Sequence, residues 1–319
     1  MRAIVISQNG GSEVLKATET DDPTPGAGDV LIDIAASGVN FIDVYFRTGL
    51  YPQPTPYVPG VEGAGTVAAV GADVTEVAVG DRVAWAQVPG SYAERAVVPA
   101  ARVVPVPDGV PAKQAAGVLL QGMTAHYLLT STYAVQPGDT VLVHAAAGGM
   151  GMLITQLAKL RGARVIGTVS TDEKERLARE VGADEVLRYD GFAAEVRRLT
   201  DGGGVAAVYD GVGAATFDGS LESLRPRGTL ALYGYASGKP AAFDVNRLQT
   251  SGSVFLTRPT LAHYILTREE LLERATAVFG HVAAGELKLH GREYALHDAR
   301  VAHDDLEARR TTGKLLLIP

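Results

Sequence analysis

The chain has 319 residues, too many for one ordinary core and about right for two domains. Its 46% hydrophobic and 20% charged residues support a sizeable buried core and exclude a largely disordered chain. The net charge of -7 argues against a general affinity for nucleic acid or anionic membranes, and the absence of cysteine excludes disulfides, iron–sulfur clusters, a thiol nucleophile and Cys-ligated zinc.

The opening apolar run breaks at Gln8-Asn9-Gly10, too early for a signal segment, and no stretch is long enough to span a bilayer. A soluble, cytoplasmic protein is expected. The first third reads as short strands at residues 30–34, 65–70, 82–86 and 92–98, punctuated by Gly71, Gly80-Asp81 and Pro89-Gly90. That pattern suits a small, irregular β-barrel. The proline-rich run 51–56 fits neither a central strand nor a helix.

A helix over 119–132 marks a change of style. Strands at 140–146, 163–169, 185–187, 205–209, 229–234 and 254–257 then alternate with helices at 150–161, 171–181 and 192–199. This rhythm calls for a doubly wound parallel sheet with helices on both faces. The tail returns to mixed structure, with helices at 268–284 and 299–309 and strands at 287–294 and 314–318. The division expected is a first domain from residues 1–120 and 265–319, with 121–264 inserted as the second.

The strongest local signal is Val141-Leu142-Val143-His144-Ala145-Ala146-Ala147-Gly148-Gly149-Met150-Gly151. A strand runs into a glycine turn that opens a helix, the context a dinucleotide fingerprint requires. Gly148 lets the backbone approach a pyrophosphate, and Gly151 lets the helix pack close to the strand. The match is imperfect, because Ala146 holds the first glycine position. The competing reading is a glycine-rich strand–helix turn without a ligand.

The second strand of the sheet carries the cofactor's choice. NAD-binding sheets end it with Asp or Glu, which holds the ribose hydroxyls. Here Val169 occupies that spot, followed by Ser170 and Lys174. Either side chain meets a 2′-phosphate, or Ser170 caps the next helix through Ser170-x-x-Glu173 and Lys174 is a solvated lysine. The missing acid favours NADPH.

At this point the sequence resembles the zinc-independent quinone oxidoreductases, the zeta-crystallin branch of the medium-chain dehydrogenase/reductase superfamily. The resemblance covers essentially the whole chain. It rests on Gly38-Val39-Asn40-Phe41-Ile42-Asp43, Pro59-Gly60-Val61-Glu62-Gly63-Ala64-Gly65, Gly80-Asp81-Arg82-Val83 and Gly90-Ser91-Tyr92-Ala93-Glu94. The glycine turn, Tyr209-Asp210-Gly211-Val212-Gly213, Thr257-Arg258-Pro259 and Thr312-Gly313-Lys314-Leu315-Leu316-Leu317 complete the ordered set. It implies an α/β protein with a GroES-like β-barrel catalytic domain and a Rossmann cofactor domain. Zinc-binding relatives place a Cys where Asn40 stands and a His where Val61 stands, so a catalytic zinc is not expected.

The resemblance implies NADPH-dependent reduction of a quinone, an acceptor already electron-poor enough to need no Lewis acid. It places Asn40, Tyr45 and Tyr51 around the reacting ring. Read alone, Asn40 caps a short helix over 41–47, Tyr45 is core, and Tyr51 packs among prolines. The resemblance also assigns Asn40, Thr124, Ala147, Gly148, Gly149, Met150, Ser170, Lys174, Tyr189, Phe255, Thr257 and Lys314 to the cofactor. Arg258 either faces the active site or braces an interface. A homodimer is expected through edge strands near 253–257. Two rivals stay open: an NADPH-dependent reductase of enones, and a cofactor-binding structural or regulatory protein with little turnover.

Overall fold

A computed structural model describes all 319 residues, Met1–Pro319. The chain divides into two compact units, Met1–Met123 with Ile265–Pro319, and Thr124–Tyr264. No helix is long and apolar enough to cross a membrane.

The first unit opens with β1 (Arg2–Val5) and β2 (Lys16–Glu19), an antiparallel pair. It continues through β3 (Asp29–Val39), α1 (Phe41–Arg47), β4 (Glu62–Val70), β5 (Arg82–Ala86), β6 (Arg95–Pro99) and β7 (Val103–Pro105). The 11-residue β3 organises the sheet. One edge pairs with β4. The other pairs first with β6, through Asp29–Asp33, and then with the C-terminal strand through Ser37–Val39. Two partners sharing one edge let the sheet wrap around Val30, Ile32, Trp85 and Val98, all fully buried.

Helix α2 (Ala112–Tyr127) begins seven residues before the sequence suggests, after Pro111, and carries the boundary between the units. The second unit then holds β8 (Thr140–Val143), α3 (Gly149–Leu160), β9 (Arg164–Thr168), α4 (Asp172–Glu180), β10 (Glu185–Leu187) and α5 (Phe192–Leu199). It continues with β11 (Val205–Asp210), α6 (Phe217–Glu222), β12 (Leu224–Leu232), α7 (Asn246–Thr250) and β13 (Phe255–Thr257). All its strand pairs are parallel, in the order β10-β9-β8-β11-β12-β13. This is the doubly wound order, with its reversal beside β8. Both faces are covered, which is why β11 reads as six buried residues rather than an alternating strand.

The chain closes with α8 (Arg268–Ala283), β14 (Gly291–Ala295), α9 (Ala299–Glu307) and β15 (Lys314–Ile318) in the first unit. Strand β14 is shorter than the apolar pattern over 287–294 suggests and starts later, because its ladder with β15 begins at the Gly291–Lys314 pair. Helix α8 starts on a capping box, Thr267 to Glu270, which fixes the chain's return.

Candidate active site

In the second unit, β8 delivers the chain to a turn in which Ala145 takes a left-handed φ of 51°. Gly148 then caps α3 with extended backbone and no side-chain hydrogen bond. The first N–H groups of α3 are therefore left for an anion, and no acidic side chain lies in that first turn. A Cβ on Gly151 would overlap the Ala145 carbonyl oxygen, so only glycine lets the helix approach. Ala146 stands at the first glycine position because Gly167 of β9 makes room: a Cβ there would come within 2.8 Å of the Ala146 methyl. Ala147 is buried and Met150 half-buried in the same turn.

Tyr189 joins this turn, its hydroxyl accepting a hydrogen bond from Ala145 N at 3.2 Å. At the end of β9, Val169 is buried and Ser170 exposed. The capping residue of α4 is Thr171, whose hydroxyl accepts from Lys174 N at 3.2 Å. The Ser170–Glu173 capping box is thus displaced by one residue, and the Ser170 hydroxyl does not cap the helix. Both residues can cap; the turn after β9 selects the second. Lys174 lies half-buried on the first turn of α4. These groups fit a dinucleotide with a 2′-phosphate: a cradle that a Cβ would fill, open helix amides, and a hydroxyl and an ammonium without a carboxylate at the strand end.

Deeper in this sheet, His144 bonds Thr168 Oγ1 at 2.8 Å and Ser220 Oγ at 2.9 Å, and Ser220 donates to Asp210. Burial holds the His144 pKa down. The network ties the ends of β8, β9 and β11 together beneath the glycine turn. Thr124 is buried, whereas Thr257 is half-buried and Phe255 is 62% exposed on β13. Arg258 stacks on Tyr235, 4.4 Å from the ring centroid.

In the first unit, Asn40 is the N-cap of α1, as its sequence position suggests, in a capping box with Asp43, and its amide is also held from outside the helix. Asn40 Nδ2 donates to Glu62 Oε2 at 2.8 Å and to the Gly38 carbonyl at 3.3 Å. Asn40 Oδ1 accepts from Lys314 Nζ at 2.7 Å and from Gln121 Nε2 at 3.1 Å. Every hydrogen-bonding position of the amide is taken within the unit. Glu62 also receives Lys314 Nζ at 2.6 Å and Leu120 N at 2.7 Å. Glu62 and Gln121 were not legible as site residues, since 22 and 81 positions separate them from Asn40.

This donor set does not fit zinc. Lys314 already places a cation against the Asn40 and Glu62 oxygens, Val61 is apolar, and no three His, Cys, Asp or Glu side chains converge. Tyr45 and Tyr51 are brought together: their rings sit 5.2 Å apart edge-to-face, and Tyr51 N donates to the Tyr45 carbonyl at 3.0 Å. Tyr45 is buried and Tyr51 half-buried.

One residue of α1 escaped the sequence reading. Asp43 is 1% exposed, and burial pushes its carboxyl up to about 7 from the ordinary 3.8. Its Oδ2 accepts from Asn40 N and from the Tyr92 hydroxyl, both at 2.9 Å.

Residues 26–108 match the alcohol dehydrogenase GroES-like domain family, and residues 149–277 match the zinc-binding dehydrogenase family. A quinone oxidoreductase of Pseudomonas aeruginosa is 44% identical over 323 aligned residues, covering 100% of this chain and 99% of that protein. The solved structure of Escherichia coli quinone oxidoreductase complexed with NADPH is similar with a TM-score of 0.98 at 39% identity, covering 100% of both chains. A mycobacterial protein solved in complex with NADPH gives a TM-score of 0.97 at 51% identity, again over 100% of both chains. Likeness of this degree, reaching from end to end through both units, shows that the chain belongs to the quinone oxidoreductase family of the medium-chain dehydrogenase/reductase superfamily.

Proposed function

We propose that the protein is a zinc-free NADPH:quinone oxidoreductase. The observation that carries this reading is the acid-free end of β9, with Ser170 and Lys174 beside a glycine turn built for a pyrophosphate. NADPH is the bound ligand in two of its structural relatives, and several curated relatives are named quinone oxidoreductase.

When bound, NADPH supplies the two electrons and one hydrogen that reduce the acceptor. The α3 amides after Gly148 hold the pyrophosphate, with Ala147, Gly149 and Met150 forming the cradle. Ser170, Lys174 and Tyr189 hold the 2′-phosphate, the lysine through charge-assisted hydrogen bonds. Thr124, Phe255 and Thr257 bind the rest of the dinucleotide. Lys314 spends two of its three N–H donors on Asn40 and Glu62, which leaves one for the cofactor. Asn40 is then a positioning residue, fixing the Lys314 ammonium rather than donating to the acceptor itself. Tyr45 and Tyr51 line the acceptor ring, with the Tyr51 hydroxyl as hydrogen-bond donor to its oxygen.

In this reading the first unit is the catalytic domain and the second the cofactor domain. The protein works in the cytoplasm as a homodimer, formed through β13, an edge strand whose Phe255 is 62% exposed. A panel of quinones and enones with NADPH tests the function. Rapid oxidation by quinones is expected. Preference for enones, or tight NADPH binding without oxidation, contradicts it.

A further inference from the structure

A cavity of about 200 Å³ lies within the first unit, lined by Asp43, Gln53, Tyr57, Val61 and Gln87 among others. Two buried polar atoms on its lining residues have no hydrogen-bond partner in the protein: Asp43 Oδ1 and the Tyr57 hydroxyl. Five other buried side-chain atoms are also unpartnered, but these two alone belong to residues that line this cavity, where a ligand group has room to complete them.

The hydrogen-bond directions fix where the Asp43 proton sits. Arg47 Nη1 lies 3.2 Å from His303 Nδ1, and a guanidinium only donates, so Nδ1 accepts and the ring carries its proton on Nε2. His303 Nε2 therefore donates to the Tyr92 oxygen at 3.1 Å, and Tyr92 donates to Asp43 Oδ2. Asn40 N also donates to Oδ2, so both neighbours supply hydrogen to that one atom. When Asp43 is a carboxylic acid, its own hydrogen is on Oδ1, the atom left unpartnered, and Tyr57 lines the same cavity.

Resting on the quinone reading above, we propose that Asp43 and Tyr57 are a donor pair for the acceptor's second carbonyl oxygen, the one Tyr51 does not hold, and that Asp43 is the proton donor of the reaction. As NADPH is oxidised to NADP⁺ and its hydride reduces the quinone, the Asp43 Oδ1–H bond breaks and an O–H bond forms on the product oxygen. One hydride and one proton complete the hydroquinone, and water returns the proton to the carboxylate. Tyr57 holds the oxygen without titrating, since burial pushes its hydroxyl up to about 12. The charged and titratable groups facing Asp43 are Arg47 on its own helix, Tyr57, Glu62 and Tyr92 from the sheet side, His303 of α9 and Lys314 of β15. His303 stays neutral, held at about 3 by burial and by Arg47, whereas Asp43, held at about 7, changes charge near neutral pH.

Asp43→Asn keeps the shape and both hydrogen bonds at the Oδ2 position while removing the acid. Quinone turnover by the wild type is expected to fall as pH rises through about 7; the variant is expected to be about a hundredfold slower and flat across that range. NADPH affinity, read by fluorescence, is expected to be unchanged. Tyr57→Phe, which leaves the acid in place, is expected to lower turnover several-fold and keep the pH midpoint. A second readout needs no turnover: the acid C=O stretch of Asp43, identified by its loss in Asp43→Asn, should shift when para-benzoquinone is added to the cofactor-free protein. Wild-type turnover with an identical rate and pH profile in Asp43→Asn overturns this inference and leaves the quinone reading standing. An absent infrared shift overturns it even if the protein reduces no quinone at all.

Discussion

Lys314 and Glu62 form an ion pair inside the first unit, Nζ to Oε2 2.6 Å, with side chains 5% and 0% exposed. Such a pair is costly to desolvate and is held by further hydrogen bonds from Asn40 and Leu120. It places a fixed positive charge among oxygen donors that a metal would otherwise need.

Breaking the pair from one side should therefore be severe. Lys314→Met leaves Glu62 buried and uncompensated, and a loss of about 3–5 kcal/mol is expected by urea denaturation. Adding Glu62→Gln to that variant is expected to restore most of it. Equal stability of the single and double variants contradicts a compensated pair.

The buried network of α1 and α9 makes opposite demands on pH. His303, held at about 3 against an ordinary 6.5, leaves the folded chain poorer in protons than the unfolded chain between those values. Its effect on stability is favourable to rising pH. Asp43, held at about 7 against 3.8, leaves the folded chain richer in protons, so stability falls as pH rises across that window. Each slope reaches about 1.4 kcal/mol per pH unit, and the two oppose between about pH 4 and 6.5. Asp43→Asn removes the falling slope, so the variant is expected to gain stability over the wild type from about pH 4 to pH 7. Parallel melting profiles across that range contradict the assignment.

The proposed role of the aromatic pair in the first unit separates binding from turnover. Tyr51→Phe keeps the edge contact with Tyr45 but removes the hydroxyl. Quinone turnover is expected to fall about tenfold, with NADPH affinity unchanged by fluorescence titration. Weakened NADPH binding with normal turnover places Tyr51 at the cofactor instead.

At the other unit, the proposed reading makes cofactor choice turn on Lys174. A preference for NADPH over NADH of at least about tenfold is expected, which needs only about 1.4 kcal/mol. Lys174→Ala should weaken NADPH binding and leave NADH binding nearly unchanged. High salt should erode the difference, as the residue is only half-buried. Equal weakening of both cofactors makes Lys174 a solvated lysine.

The parallel sheet was legible because each strand is a short apolar run followed by a helix start, and the glycine turn sat where the fingerprint belongs. The tolerance of Ala146 was not, since it depends on Gly167 from the neighbouring strand. Strands β1, β2 and β7 have three or four residues each, too few for a period to show. Asn40 was visible as a polar residue before a helix, yet its partners come from β4, α2 and β15, contacts only the fold creates. The Ser170 cap failed because Thr171 offers the same chemistry one residue later. Asp43 carried no signal of its own in the sequence, since its burial depends on Tyr92, 49 positions away, which His303 in turn holds.

The most direct test of quinone reduction without a metal is the rate of NADPH oxidation by a quinone after exhaustive dialysis against a strong chelator. With Lys314 seated between Glu62 and Asn40, the rate is expected to equal that of untreated protein, and added zinc is expected to change nothing. Loss of activity on chelation, restored by stoichiometric zinc, would contradict the account.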